Sequence, residues 1–318
     1  MTEFGYALSS EEHGPNQLVT NARRAEESGF EFAMISDHFH PWTDSQGQSP
    51  FVWGVIGGIA EATERLRLGT GVTCPTIRTH PAIVAHAAAT AAVMMDGRFV
   101  LGLGTGENLN EHVVGQGWPA PDERLEMLEE AIEVIRLLWE GGYQTHRGEF
   151  YEVEQARLYT LPDEPPPIAV AAAKEEAAKL AGRAGDALVN TAPDEEVIDL
   201  FNSAGGRDKP KYGQITLCWA ESEEAGRKTA LEVWPNAALG GDLSYELPLP
   251  LHFEQAAENV TEEDIGEAIP CGPDVDRYVE HVREYEQAGY THIYFHQIGR
   301  DQEGFFHFWE QELKPKIE

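Results

Sequence analysis

Short apolar runs and amphipathic stretches alternate along almost the whole chain. Residues 4–8, 30–36, 66–73, 99–104, 167–172, 188–191, 214–220 and 292–297 are apolar runs of strand length, unbroken enough to be covered on both faces. Between them lie stretches with helical spacing: 16–28, 50–63, 81–95, 122–139, 175–184, 195–204, 223–233, 275–288 and 304–313. The clearest is 122–139, where Leu125, Leu128, Ala131, Ile132, Ile135, Leu138 and Trp139 follow the i, i+3, i+4 rule. In 16–28, Leu18, Val19, Ala22 and Ala25 form one stripe, and Gly29 is placed to end the helix. Pro81 suits the first turn of its helix. Three stretches break the rhythm. Residues 107–121 read as a long loop. Residues 143–153 read as a small hairpin turning at Arg147-Gly148. Residues 234–270 read as an insertion, part helical.

Unbroken strand–helix alternation predicts a parallel sheet with helices outside it, and eight units favour a closed α/β barrel, the (β/α)8 TIM barrel, over an open doubly wound sheet. At 318 residues the chain suits a single barrel domain, 1–318, with insertions near 107–121 and 234–270. Gly102-Leu103-Gly104-Thr105-Gly106 is glycine-rich, but it is GxGxG on the fourth strand with a loop behind it, so it is not a dinucleotide fingerprint.

Charge narrows the function. Acidic residues number 55 and basic ones 23, a formal net charge of −32. The acids recur on helix faces, as at Glu123, Glu126, Glu129, Glu130 and Glu133, and so form an acidic shell rather than a tail. Nucleic acid is excluded as a partner for want of a basic patch. Such a shell suits a salt-rich cytoplasm, where carboxylate repulsion is screened. No apolar run approaches a membrane span, and the N-terminal residues are not those of a signal peptide, so a cytoplasmic protein with no membrane partner is expected. Cys74, Cys218 and Cys271 stand far apart and there is no HExxH, so no metal site is expected.

In a barrel the C-terminal ends of the strands share one rim, where chemistry is placed. Four such ends stand out here. They are Asp37-His38 with Trp42, Gly69 to Pro75, Gly102 to Asn110, and Ala171 to Lys174. Taken singly, each is as well explained by a helix cap, a satisfied core histidine or ordinary turn chemistry. On one rim together, their small residues would let a flat ligand approach the backbone.

Ser36-Asp37-His38-Phe39-His40-Pro41-Trp42, Leu68-Gly69-Thr70-Gly71-Val72, Gly102 through Glu111 (GLGTGENLNE) and Ala181-Gly182-Arg183-Ala184-Gly185-Asp186 resemble the luciferase-like oxidoreductases that use the deazaflavin coenzyme F420. The resemblance runs from about Phe4 to Phe306 and is nearest the F420-dependent glucose-6-phosphate dehydrogenase type. It implies His38 as the base for the substrate hydroxyl, Glu107 as the acid that protonates the deazaflavin, and Trp42 as an aromatic lining the reacting centre. It implies cofactor contacts at Asp37, Cys74, Thr105, Gly106 and Asn110, a non-prolyl cis peptide at Gly71–Val72 behind the ring, and a homodimer. Glu11 matches a family glutamate near the substrate. The chemistry agrees: a neutral imidazole can take the carbinol proton near pH 7, and a carboxyl in a closed apolar site can supply one.

Two departures qualify the match. Of the groups that hold a sugar phosphate, Thr191 is retained, but the basic positions fall at Asp194 and near Ser244 and Glu267, so glucose 6-phosphate is expected to be a poor substrate. An unphosphorylated sugar or small alcohol fits better. Ala173-Lys174 stands where the family has two glycines at the cofactor phosphate, and Lys174 would bring a cation there. The competing expectations are a flavin (FMN) monooxygenase of the same fold and a member without enzymatic activity.

Overall fold

The computed structural model describes residues 2–317. Eight parallel strands close on themselves: β1 (Glu3–Leu8), β2 (Phe32–Ile35), β3 (Arg67–Thr70), β4 (Phe99–Leu103), then, after an antiparallel pair β5 (Gln144–Arg147) and β6 (Glu152–Ala156), β7 (Ile168–Ala171), β8 (Ala187–Asn190), β9 (Lys211–Leu217) and β10 (His292–Gln297). The ring runs β1-β10-β9-β8-β7-β4-β3-β2, with every barrel pairing parallel, as the alternation predicts. The first and last barrel strands pair directly, Phe4 opposite Ile293, so the barrel leaves no open sheet edge.

The apolar patterns read in the sequence become two concentric layers. Outward-facing strand residues meet the helix stripes in the main core, for example Leu68, Leu101 and Ile293 against Ala22, Ala88 and Ile135. Inward-facing residues fill the barrel lumen, with Phe32, Met34, Ala169, Val189, Tyr212 and Tyr294 in contact. The lumen is therefore packed, and a cavity opens above it, reaching Ala7, Met34 and Tyr294.

Several element boundaries differ from expectation for identifiable reasons. The third strand stops at Thr70 because the chain bulges at Gly71–Val72, whose peptide is cis. Residues 107–121 are not all loop: Asn108–Glu111 forms one helical turn and His112–Val114 a 3-10 turn. The hairpin connection spans 148–151 rather than a two-residue turn, because the Glu130 carboxylate accepts hydrogen bonds from the backbone N–H groups of Glu149, Phe150 and Tyr151 (2.9–3.0 Å). Glu26 plays the same part for the N–H groups of Glu64, Arg65 and Leu66. The 234–270 stretch is a chain of short helices, Pro235–Ala238, Leu243–Glu246, Pro250–Ala256 and Glu262–Ala268, over a satellite core of Cys218, Ala230, Ile265, Ile269, Cys271 and Ile298. Among the described residues no helix is long and apolar enough to cross a membrane.

Candidate active site

A cavity of about 610 Å³ opens at the C-terminal mouth of the barrel, within the range usual for small-molecule and cofactor sites. Glu11 after β1, His38 and Trp42 after β2, Gly71 after β3, Glu107 after β4 and Thr191 after β8 all line it. Residues spread over most of the sequence thus share one space. The far wall is the 234–270 segment, through Trp234, Asn236, Ala237, Leu239, Ser244 and Phe253. Contacts from three other parts of the chain fasten that wall. Asn108 Nδ2 donates to the Glu246 carbonyl (3.0 Å), Arg124 Nη2 to Glu246 Oε1 (3.3 Å), and Lys174 Nζ to Asp242 Oδ1 (2.6 Å).

His38 is held from both sides. Its Nδ1 lies 3.2 Å from the His40 carbonyl, and its Nε2 lies 3.4 Å from Glu11 Oε1. Both neighbours are acceptors, so an imidazolium at this position has a partner for each N–H. The ring also meets Trp42, centroids 5.0 Å apart, and Trp42 meets Phe253 edge-on at 5.2 Å. Glu11 is buried. Burial pushes its carboxyl up, but the His38 charge, the Ser36 hydroxyl (2.7 Å), a backbone hydrogen bond and His296 together hold it below the ordinary value. Its charge is therefore kept in place behind His38.

Glu107 Oε2 accepts from Asn110 Nδ2 (3.1 Å), and Asn110 Oδ1 accepts from the backbone N–H groups of Phe39 and His40 (2.8 and 3.2 Å). Asn110 thereby ties the Glu107 turn to the His38 loop. Behind them lies a buried network not apparent in the sequence. Arg78 Nη2 donates to Asp37 Oδ1 (3.0 Å), its backbone N–H to Glu111 Oε2 (2.7 Å), and Thr73 Oγ1 to Asp37 Oδ2 (2.8 Å). Two carboxylates share one guanidinium, with Glu107 close by. Burial pushes the Glu111 carboxyl up to about 7, against the pull of Arg78. Asp37, Cys74 and Asn110 are buried behind the cavity lining, and burial pushes the Cys74 thiol well up.

The glycines of the fourth-strand motif make room for the bulge. A Cβ on Gly102 would sit 1.9 Å from the Thr70 carbonyl oxygen, and one on Gly104 would sit 2.7 Å from Val72 Cγ2. Gly106 turns the chain at φ +90° against Glu111. The small residues thus make room for the Val72 side chain, and Gly71 of the same bulge lines the cavity with His38 and Glu107 and presents no side chain there. Ala173 and Lys174 are exposed at the end of β7, before the helix Glu175–Ala184, whose first turn has no side-chain cap. Lys174 is paired with Asp242.

Of the positions expected to meet a sugar phosphate, Thr191 and Ser244 line the cavity. Asp194 instead caps the helix Glu195–Phe201, accepting from Glu196 N (2.9 Å). Glu267 lines a neighbouring cleft. Among the described residues lining the cavity there is no lysine or arginine.

A closed eight-stranded barrel with a cis bulge after β3 and these loops at its mouth defines a class of protein, and the chain belongs to it. The family model for luciferase-like monooxygenases matches residues 1–292. Within that family it is similar to F420-dependent glucose-6-phosphate dehydrogenases. That of Microbacterium testaceum is 35% identical over 326 residues, covering 99% of this chain and 97% of the relative, and that of Nakamurella multipartita is 34% identical, covering 99% and 96%. Among solved structures, an F420-dependent secondary alcohol dehydrogenase in complex with an F420–acetone adduct superposes with a TM-score of 0.92 at 28% identity, over 100% of this chain and 99% of that one. The F420-dependent tetrahydromethanopterin reductase of Methanopyrus kandleri shares the fold, with a TM-score of 0.81 at 21% identity over 100% and 99%.

Proposed function

We infer that the protein is an F420-dependent oxidoreductase that moves a hydride between the carbinol carbon of an uncharged alcohol or sugar and the deazaflavin. The observation that carries this reading is the convergence of His38, Trp42, Glu107 and Gly71, the first residue of the cis bulge, on one cavity. When bound, the coenzyme supplies the hydride-accepting ring, for which Gly71 and Val72 provide the backing. Thr105, Gly106, Ala173 and the first turn of Glu175–Ala184 would hold the rest of the coenzyme through backbone groups. Asp37, Cys74 and Asn110 act from behind the wall, and Lys174 acts together with Asp242.

His38 accepts the hydroxyl proton as the carbinol carbon is oxidised. The resulting imidazolium is stabilised by Glu11 at Nε2 and the His40 carbonyl at Nδ1. Glu107 has Oε2 engaged by Asn110, so Oε1 is the oxygen that carries a proton into the cavity. Trp42 excludes water beside His38. A cavity edged by Glu11, Glu107 and Glu284, with no lysine or arginine among the described residues lining it, disfavours a phosphate dianion. Glucose 6-phosphate is accordingly a poor substrate, in contrast to the named glucose-6-phosphate dehydrogenases.

Titrating the purified protein with F420 and with FMN by fluorescence tests the cofactor. Saturable binding of F420 and none of FMN is expected; the reverse overturns the reading in favour of a flavin monooxygenase. A substrate panel followed at the deazaflavin absorbance then tests the reaction. Turnover of glucose 6-phosphate at low millimolar concentration, in preference to neutral alcohols, would refute the substrate assignment. We further propose a cytoplasmic homodimer, supported by the exposed apolar residues Phe51, Ile83, Val93 and Met94 and by three free cysteines; sedimentation equilibrium checks the dimer.

A further inference from the structure

The cavity holds a second imidazole backed by a carboxylate. His296, on β10, lines it together with His38, and its Nε2 lies 3.4 Å from Glu12 Oε1. Both side chains are only 4% exposed. Glu12 is anchored in turn, since Oε2 accepts from the Gly299 N–H at 2.7 Å. Glu11 and Glu12 are consecutive, so one turn after β1 places a carboxylate behind each of two histidines, and Glu11 senses the charge of both rings. Ser9 Oγ lies between the two acids, 3.0 Å from Glu11 Oε2 and 3.5 Å from Glu12 Oε1.

His296 is not a satisfied core histidine. With Nε2 turned to Glu12, Nδ1 has no hydrogen-bond partner among the described residues, yet it is not sealed off as a buried orphan. The ring stands edge-on to Trp234, centroids 4.5 Å apart, and the indole lines the same cavity. The pair Nε2–H to Glu12 leaves Nδ1 as an acceptor for an O–H. Oxidation of one carbinol consumes one base, and His38 fills that role. A second, separately anchored imidazole in the same space is therefore free to recognise another oxygen of the substrate.

Resting on the dehydrogenase reading above, we propose that His296, positioned by Glu12 and flanked by Trp234, is a specificity residue that binds a second hydroxyl, so that the substrate class is an uncharged diol, polyol or sugar rather than a simple alcohol. A hydroxyl accepted at Nδ1 discriminates by the strength of one hydrogen bond, about three- to tenfold.

The test uses the full chain with F420 and compares propane-1,2-diol and D-glucose with propan-2-ol in wild type, His296→Phe, His296→Asn and Glu12→Gln. The wild type is expected to favour a polyhydroxylated substrate in kcat/KM. In His296→Phe that preference is expected to fall about three- to tenfold, through KM rather than kcat, and His296→Asn, which keeps an acceptor, is expected to recover part of it. F420 affinity reports folding in each variant. Should His296→Phe fail to bind F420, the preference ratios of His296→Asn and Glu12→Gln decide instead. A preference unchanged in variants that bind F420, or no wild-type preference for the extra hydroxyl, overturns the assignment of His296 alone. F420 binding without turnover of any of the three substrates overturns the dehydrogenase reading and this inference with it.

Discussion

At the scale of single residues, His38 is defined as much by its neighbours as by its own chemistry. His38→Ala is expected to lower kcat by about 10²- to 10⁴-fold, the usual worth of a positioned base, with F420 affinity retained. Glu11→Gln keeps the shape but removes the charge that faces Nε2, and a smaller loss in kcat is expected, again without loss of F420. Single-turnover kinetics on both variants checks the order. Glu111 gives a second prediction. Its carboxyl is raised to about 7 in the fold and lies near the ordinary 4.5 in the unfolded chain. Between those values the unfolded chain releases a proton that the fold keeps, so this group makes stability fall as pH rises, by on the order of 3 kcal/mol across the window. Urea unfolding from pH 4.5 to 7.5 should show a flatter slope for Glu111→Gln. His38, Trp42 and Glu107 stood out in the sequence through the motifs that carry the family resemblance, and the structure brings the three to one cavity. Arg78, which bridges Asp37 and Glu111 from a separate loop, and the position of Glu11 behind His38 were not legible in the sequence. Those pairings exist only after the barrel closes.

At the scale of elements, the strands and helices could be read from periodicity because each buries a stripe against the same core. The bulge after β3 could not be read in that way, since the apolar run continues through it. It follows from sterics, because only glycines at 102 and 104 leave space for Thr70 and Val72. Gly104→Ala drives a methyl against Val72 and so disturbs the bulge that carries Gly71 into the cavity wall, and overpacking of this kind costs ~1–3 kcal/mol. The expected outcome is F420 affinity weakened by about tenfold, in a variant whose far-UV circular dichroism is unchanged. The insertion and its partly helical character were recognised from the broken rhythm, but its individual helices were not placed, because each spans at most seven residues and cannot display a period. Its partners, Asn108, Arg124 and Lys174, lie far away in sequence.

For the molecule as a whole, the fold class was legible from alternation alone, and the acidic excess from counting. With −32 formal charges, self-repulsion is a global term that added salt screens. The midpoint of thermal unfolding is expected to rise by several degrees between 0.1 M and 2 M KCl; full stability in dilute buffer would count against the salt-rich habitat. Some of the acids hold the fold together, however. Glu26 and Glu130 each gather three successive backbone N–H groups. Burial raises their carboxyls, but those hydrogen bonds pull both below the ordinary value. Their stabilisation is present above the unfolded value and is lost as pH falls through the lowered one. The amides of 64–66 and 149–151 lie outside every helix and strand, where rapid deuterium uptake would be the ordinary behaviour. Gripped by carboxylate oxygens, they should exchange slowly at neutral pH and give up that protection in acid as two separate triplets.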